Sequence, residues 1–380
     1  MNISSLRPTA VNAVLAEVRE VTASGRAVVS LMRGEPDLAT PAHIVEACVA
    51  ALRNGRTGYP DNRGELKLRE AVCEKLARDN GLTYTPAELL ITSGATFGIY
   101  AALAAVLTEG EEVMLPDPIY DAYHSPVLLC GGRIRRVPSQ IVAGRFTLTA
   151  EALERAWNPA CRALILNTPW NPVGTVFTEA EARAMAEFCE RRNVWLLSDE
   201  IYETILFDGR RHYSPAAYCR DRAIVINSLS KTYSMTGWRV GYCAAPKPVL
   251  DRMFMVLAQS SRGPATFVQD AAVAALSGSQ DCIAAMREEY AARRATVLDA
   301  LRAHGAMTPE GGFFAMVDVR SMGLPSNEVR RRLLQEHGVV VIHGAAYGEQ
   351  GEGTLRVSFA SGGGNLARGL DQLRAGLAAL

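Results

Sequence analysis

Fifteen residues, Ser228-Leu-Ser-Lys-Thr-Tyr-Ser-Met-Thr-Gly-Trp-Arg-Val-Gly-Tyr242, set one lysine, Lys231, directly after an apolar run and place Arg239 eight residues beyond it. An amine there can act as a covalent handle, while the hydroxyls and the arginine beside it can hold a phosphate. Pyridoxal phosphate needs that combination, because its aldehyde requires an amine and its phosphate requires fixed donors.

Other polar residues sit where strands should end. The short apolar runs Ala163 to Asn167, Val194 to Ser198 and Ala223 to Asn227 predict three strands. Between the first two, Thr178-Glu-Ala-Glu181 forms a capping box opening a helix that buries Met185 and Phe188 and stops near Asn193. This βαβ order predicts a mostly parallel sheet covered by helices. Asn171 follows the first strand, Asp199 and Tyr202 the second, and Ser228 and Lys231 the third. The carboxyl ends of such strands form the ligand crevice of open α/β sheets, so the five groups should converge.

Each group has a task in pyridoxal phosphate chemistry. Lys231 would form the Schiff base with the aldehyde and, once displaced by substrate, move the Cα proton. Asp199, ionised and partly buried, would keep the pyridine nitrogen protonated. Asn171 and Tyr202 would donate to the phenolate oxygen, and Tyr120 would stack on the ring. Ser93-Gly94-Ala95-Thr96, opening a helix, would offer backbone N–H groups to the phosphate, with Ser228 and Arg239 completing the cup. Arg356 alternates away from the apolar face of the strand Leu355-Arg-Val-Ser-Phe359 and could clamp a substrate carboxylate. Taken singly these residues prove little: a lone lysine or arginine is ordinarily solvated charge, and a glycine turn before a helix is ordinary loop chemistry. Their joint occurrence, in this order and at strand ends, favours the functional reading.

Composition bounds the rest. A chain of 380 residues suits a large domain plus a smaller one. Hydrophobic residues make up 48% and charged residues 21%, and 40 basic residues balance 40 acidic ones, which removes the electrostatic argument for a nucleic-acid or anionic-membrane partner. The first 21 residues have no continuous apolar core of the signal-peptide kind, and no run approaches a membrane span. Eight scattered cysteines, without paired spacing to the six histidines, read as reduced thiols of a cytoplasmic protein and give no metal site. After residue 276 the pattern becomes α+β, with a long helix and strand candidates Gly312 to Val319, Val339 to His343 and Thr354 to Ala360. A helix over about Thr9 to Ala23 should return to pack with it. The expected division is a large cofactor-binding domain, residues 44–276, and a small domain built from residues 1–43 and 277–380.

The chain resembles the class I/II aminotransferases of fold type I, most closely their bacterial aspartate and prephenate aminotransferase subgroup. Gly34-Glu-Pro-Asp37, Tyr59 with Arg63-Gly-Glu-Leu-Lys-Leu-Arg69, Thr92-Ser-Gly-Ala-Thr96, Pro116-Asp-Pro118, Asn171-Pro-Val-Gly174, Ser198-Asp-Glu-Ile-Tyr202, Ser228 to Tyr242 and Leu355 to Phe359 carry the resemblance. It implies Lys231 as the Schiff-base lysine, Arg356 as the carboxylate clamp and the backbone of Gly34 beside the substrate carboxylate. It also implies a homodimer with composite active sites, in which Tyr59 and Ser261 reach the phosphate of the neighbouring subunit's cofactor. The implied reaction is ping-pong transfer of an amino group from an L-amino acid to a 2-oxo acid.

Departures from the family pattern bear on the substrate. Trp170 replaces the usual small or polar residue before the family asparagine, and Thr96 stands where some aspartate-using relatives have a substrate-binding lysine. Both weaken aspartate as the preferred donor, while Arg33 or Arg262 is a candidate contact for the substrate side chain. Two rival functions share the equipment. A C–S lyase or other α,β-eliminating enzyme also starts with Cα deprotonation. A regulator built on an aminotransferase-like domain would carry an added DNA-binding module, for which the resemblance leaves no room.

Overall fold

The computed structural model describes residues 6–380. The chain opens with α1 (Ala10–Ala23), β1 (Val29–Ser30), α2 (Ala42–Arg53) and α3 (Leu66–Asn80). An alternating region follows: β2 (Leu89–Thr92), α4 (Ala95–Val106), β3 (Glu112–Asp117), α5 (His124–Leu129), β4 (Arg133–Pro138), the hairpin β5 (Gln140–Val142) and β6 (Arg145–Thr147), and α6 (Ala150–Ala156). Next come β7 (Cys161–Asn167), α7 (Glu179–Arg192), β8 (Trp195–Asp199), β9 (Ala223–Ser228), α8 (Leu229–Thr232), β10 (Gly241–Ala244), α9 (Lys247–Ser260) and α10 (Thr266–Ser277). The remainder is α11 (Asp281–Leu301), β11 (Phe314–Asp318), α12 (Ser326–His337), β12 (Val339–Val340), β13 (Ile342–His343), β14 (Thr354–Ser358) and α13 (Gly363–Ala379).

Seven strands form one sheet in the order β2-β10-β9-β8-β7-β3-β4, parallel except for β10, which runs against both neighbours. The strands are apolar on both faces because both are covered. Leu164, Leu166, Leu196 and Val225 pack into a core with α3, α7 and α10, whereas Ala163, Ile165, Leu197, Ile224 and Ile226 pack into a second core with α4 and α9. Residues two apart share a face, so one run of sequence serves both layers.

Local signals set the helix ends. The Thr178 hydroxyl accepts from the Glu181 amide at 3.2 Å while the Glu181 carboxylate accepts from the Thr178 amide at 2.8 Å, and Asn193 ends α7 in the left-handed region at φ 56°. The expected capping box and stop are therefore both present.

A third apolar core joins β11 and β14 to α11, α12 and α13, and a smaller one holds Val14 of α1 against Leu334, Val340 and Ile342. The N-terminal helix thus packs on the C-terminal part, as expected. The predicted strand Val339 to His343 is divided: β12 pairs in parallel with β1, whereas β13 pairs antiparallel with β14. Among the described residues no helix is long and apolar enough to cross a membrane.

Candidate active site

Strand order opens the site. β3 has β4 on one side and β7 on the other, and the chain continues from β7 to β8 and away from β4, so a crevice forms beyond the carboxyl ends of β3 and β7. Tyr120 leaves β3 and Asn171 leaves β7, and the Tyr120 amide donates to the Asn171 carbonyl at 3.1 Å. The cleft there has a volume of about 520 Å³. Gly34, Ala95, Thr96, Tyr120 and Asn171 line it together with Tyr202, Ser228, Lys231, Arg239 and Arg356. Residues predicted from seven separate stretches of sequence therefore share one wall.

Lys231 sits on α8, whose first turn is held by the Ser228 hydroxyl accepting from the Ser230 amide at 3.3 Å. Its Nζ donates to the Gly34 carbonyl at 2.7 Å. Burial pushes the ammonium down to about 8; the Glu35 carboxylate opposes this, and the Arg239 cation adds to it. An amine so poised is a better nucleophile and base near neutral pH than an exposed lysine.

Asp199 was expected to be partly buried; it is only 2% exposed. Its Oδ2 accepts from the Tyr123 hydroxyl at 2.6 Å and its Oδ1 from the Ile201 amide at 3.3 Å. Burial nevertheless lifts the carboxyl to about 6, because these donors are neutral. A cationic ring N–H is the partner that this carboxyl lacks. Tyr123 is a functional neighbour that sequence reasoning missed, since a tyrosine three residues after Tyr120 carries no distinctive pattern.

Tyr202 and Asn171, the two predicted partners of one ring oxygen, both line the cleft. Asn171 Oδ1 accepts from Arg356 Nη1 at 3.2 Å.

Gly94 caps α4 at φ 85°, and a Cβ added there would lie 2.4 Å from Arg239 Nη2. Only glycine allows the guanidinium to close over the first amides of α4. Arg239 is braced by donating to the Thr236 carbonyl at 3.0 Å and the Ser93 carbonyl at 3.2 Å. Helix amides, a serine and a guanidinium make a donor set that fits a phosphate.

Arg356 does not lie on an open polar face, as the alternation suggested; every residue of β14 is buried, and Arg356 is 2% exposed. Its Nη2 donates to the Met32 carbonyl at 2.7 Å, and its guanidinium lies 4.2 Å from the Phe314 ring centroid and 4.8 Å from that of Tyr347. Its Nε is buried without a partner. A buried, unsatisfied donor in a cation facing the cleft is matched to an anion.

Asp199 and Gly94 stand just behind this wall, and Tyr59, Ser261, Arg262 and Trp170 also lie off it. Tyr59 is 89% exposed, with the Arg262 guanidinium 5.7 Å from its ring centroid, and the Ser261 hydroxyl is bonded to that of Ser93 at 2.8 Å. Of the two arginines considered for the substrate side chain, Arg33 lines the cleft and Arg262 does not. Thr96 is on the wall, but Trp170 is not: it is buried against Phe177 and donates to the Pro118 carbonyl at 2.9 Å. The sequence reading did not anticipate that Thr9, Val11, Asn12 and Leu15 would cover the cleft, nor that Glu35 would be held there by the Thr236 hydroxyl at 2.9 Å.

A desolvated amine, a buried carboxyl without a cationic partner and a phosphate-shaped donor cup, set at the switch point of this sheet, define a pyridoxal-phosphate-dependent enzyme of fold type I. Residues 26–371 match the family described as aminotransferase class I and II, and the chain belongs to it. It is 38% identical to aromatic-amino-acid aminotransferase 2 of Thermococcus litoralis over 353 residues, covering 91% of this chain and 90% of that one. It is also 38% identical to the aspartate/prephenate aminotransferase of Cereibacter sphaeroides over 379 residues, 94% of this chain and 93% of that one. A solved single mutant of Thermus thermophilus aspartate aminotransferase superposes with a TM-score of 0.93 at 34% identity, covering 98% of each chain. The protein is a pyridoxal-phosphate-dependent aminotransferase acting on amino and 2-oxo acids, and the eliminating alternative is not favoured.

Proposed function

We propose that the cleft carries out both half-reactions of a ping-pong transamination, with Lys231 as covalent attachment point and proton carrier. Bound there, pyridoxal phosphate supplies the electron sink for the charge left when the substrate Cα–H bond breaks. Lys231 Nζ takes that proton and returns one on the other side of the transfer. Asp199 holds a proton on the ring nitrogen, and Asn171 and Tyr202 orient the ring by donating to its oxygen. The α4 amides from Gly94 to Thr96, with Ser228 and Arg239, hold the phosphate; Tyr120 packs on the ring. Arg356 fixes the substrate carboxylate beside Gly34. The observation that carries this reading is that Lys231, with its amine pushed down to about 8, and Arg356, with its Nε unsatisfied, line one cleft.

The amino donor is an L-amino acid, and the acceptor is a small 2-oxo acid such as 2-oxoglutarate or pyruvate. Arg33, on the wall and in no ion pair among the described residues, is the group that meets an acidic substrate side chain. The active unit is a homodimer in which Tyr59 completes the partner's phosphate site; its near-complete exposure in the single chain supports this. Residues 44–276 form the large domain and residues 1–43 with 277–380 the small one, in keeping with apolar cores drawn mostly from one part or the other, although Tyr202, Ile205 and Phe207 join the core of the small one. Eight free thiols support the cytoplasm as its compartment.

Incubating the holoenzyme with one amino acid and no acceptor tests the reaction. About one equivalent of 2-oxo acid per site should form before turnover stops, whereas continuous release of ammonia would identify a lyase. Across a panel, Arg33→Ala should depress acidic donors relative to neutral ones; an unchanged ratio removes Arg33 from specificity.

A further inference from the structure

Behind Asp199, away from the cleft, lies a second group of buried polar side chains. Glu200 is fully buried and does not line the cleft. Its Oε1 accepts from the Ser198 hydroxyl at 2.7 Å and the Ser214 hydroxyl at 2.6 Å, its Oε2 lies 3.0 Å from His212 Nε2, and its amide donates to the Ile226 carbonyl at 2.9 Å. Glu203 follows one turn later, its amide donating to the Glu200 carbonyl at 3.0 Å, and its carboxylate accepts from Lys75, Asn80 and Asn227. Ligand-type atoms of Glu200, Glu203 and His212 lie within 4.8 Å of one another, and the Lys75 ammonium already supplies a cation to Glu203.

Two features set Glu200 apart. Ser198 lies two residues back on β8, but Ser214 and His212 come from the loop before β9 and tie the end of β8 to it, so the backbone of Asp199 is held from the far side. In addition, Glu200 has no Lys or Arg partner among the described residues, so a carboxylate sits directly behind the residue assigned to the ring nitrogen. The titratable and charged groups facing it are Asp199, His212 and Glu203, with Tyr84 and Tyr242 from the packed elements and Lys75 of α3 beyond Glu203. Any negative charge in low dielectric raises the proton affinity of the groups around it. The Glu200 charge acts on Asp199 in this sense.

We propose that Glu200 is a positioning residue for the transamination: it pins the Asp199 turn from behind, and its charge makes the site hold its protons more tightly. The inference rests on the assignment of Asp199 and Lys231 to the cofactor.

The visible absorbance of the holoenzyme, titrated against pH, reads proton affinity in the site without turnover. Glu200→Gln keeps an acceptor for the two serines while deleting the charge, and it should lower the titration midpoint by about 0.5 pH unit or more. Glu200→Asp retains the charge and should stay close to wild type even where packing is disturbed. Lys75→Gln still donates to Glu203 but removes the opposing cation, so it should move the midpoint upward. An unmoved midpoint in Glu200→Gln, or a shift of the same sign in Glu200→Gln and Lys75→Gln, overturns the proposal. If Glu200→Gln does not fold, Lys75→Gln decides alone: an unmoved or lowered midpoint overturns it. A wild-type protein that binds pyridoxal phosphate without any pH-dependent band would instead defeat the cofactor assignment, and this inference with it.

Discussion

Lys231 shows how burial prepares a side chain for chemistry. Its amine is held down at about 8 against an ordinary value of 10.5, mainly because the cleft wall replaces water around it. Only the neutral amine attacks an aldehyde. The second-order rate at which apoprotein takes up pyridoxal phosphate should therefore rise with pH and level off near pH 8; a rise that continues toward 10.5 would contradict the burial argument. Arg356 is prepared differently, by bracing. Its guanidinium is tied to Asn171 and the Met32 carbonyl and sandwiched by Phe314 and Tyr347, which leaves Nε for a ligand. Lysine cannot reproduce that planar fork, so Arg356→Lys should raise KM for the amino donor about 10²-fold, measured by steady-state kinetics at unchanged cofactor content.

Secondary-structure elements carry these groups to one place, and their legibility in the sequence follows their chemistry. β7, β8 and β9 were readable because strands buried on both faces are continuous apolar runs, and α7 was readable because its capping box and its Asn193 stop are local. β4 was not, since this edge strand reads Arg-Ile-Arg-Arg-Val-Pro and shows no apolar run. The split of Val339 to His343 was equally hidden, because the two halves find partners at β1 and β14, hundreds and tens of residues apart in sequence. Within the site, motif residues at strand ends were legible, whereas Tyr123, Glu35 and the α1 residues over the cleft depend on long-range packing with no local signature. The α4 cap offers a direct check. A side chain at Gly94 meets both a φ of 85° and Arg239 Nη2. Gly94→Ala should weaken pyridoxal phosphate binding about tenfold or more by equilibrium dialysis, and unchanged affinity would remove this turn from the phosphate site.

Assembly is the level at which the proposed dimer makes its predictions. Val45, Val49 and Leu52 stand 39%, 37% and 44% exposed along α2 at spacings of four and three, an apolar stripe that the described residues leave partly open. Tyr59, just beyond, is exposed and does not line the cleft of its own chain. If Tyr59 serves the partner, inactive Lys231→Ala and Tyr59→Ala proteins, mixed and re-equilibrated, should regain up to about a quarter of wild-type activity through hybrids with one intact site. No recovery would place Tyr59 outside catalysis. Every one of these expectations depends on a single amine accepting the cofactor. The chain has four lysines, Lys67, Lys75, Lys231 and Lys247, which makes that amine easy to identify. Lys75 is bonded to Glu203, Lys247 to Asp251, and Lys67 is exposed on α3. Borohydride reduction of the protein saturated with pyridoxal phosphate, followed by peptide mapping, should mark Lys231 alone. A mark on Lys67, Lys75 or Lys247 in its place, or no mark at all, would contradict the assignment.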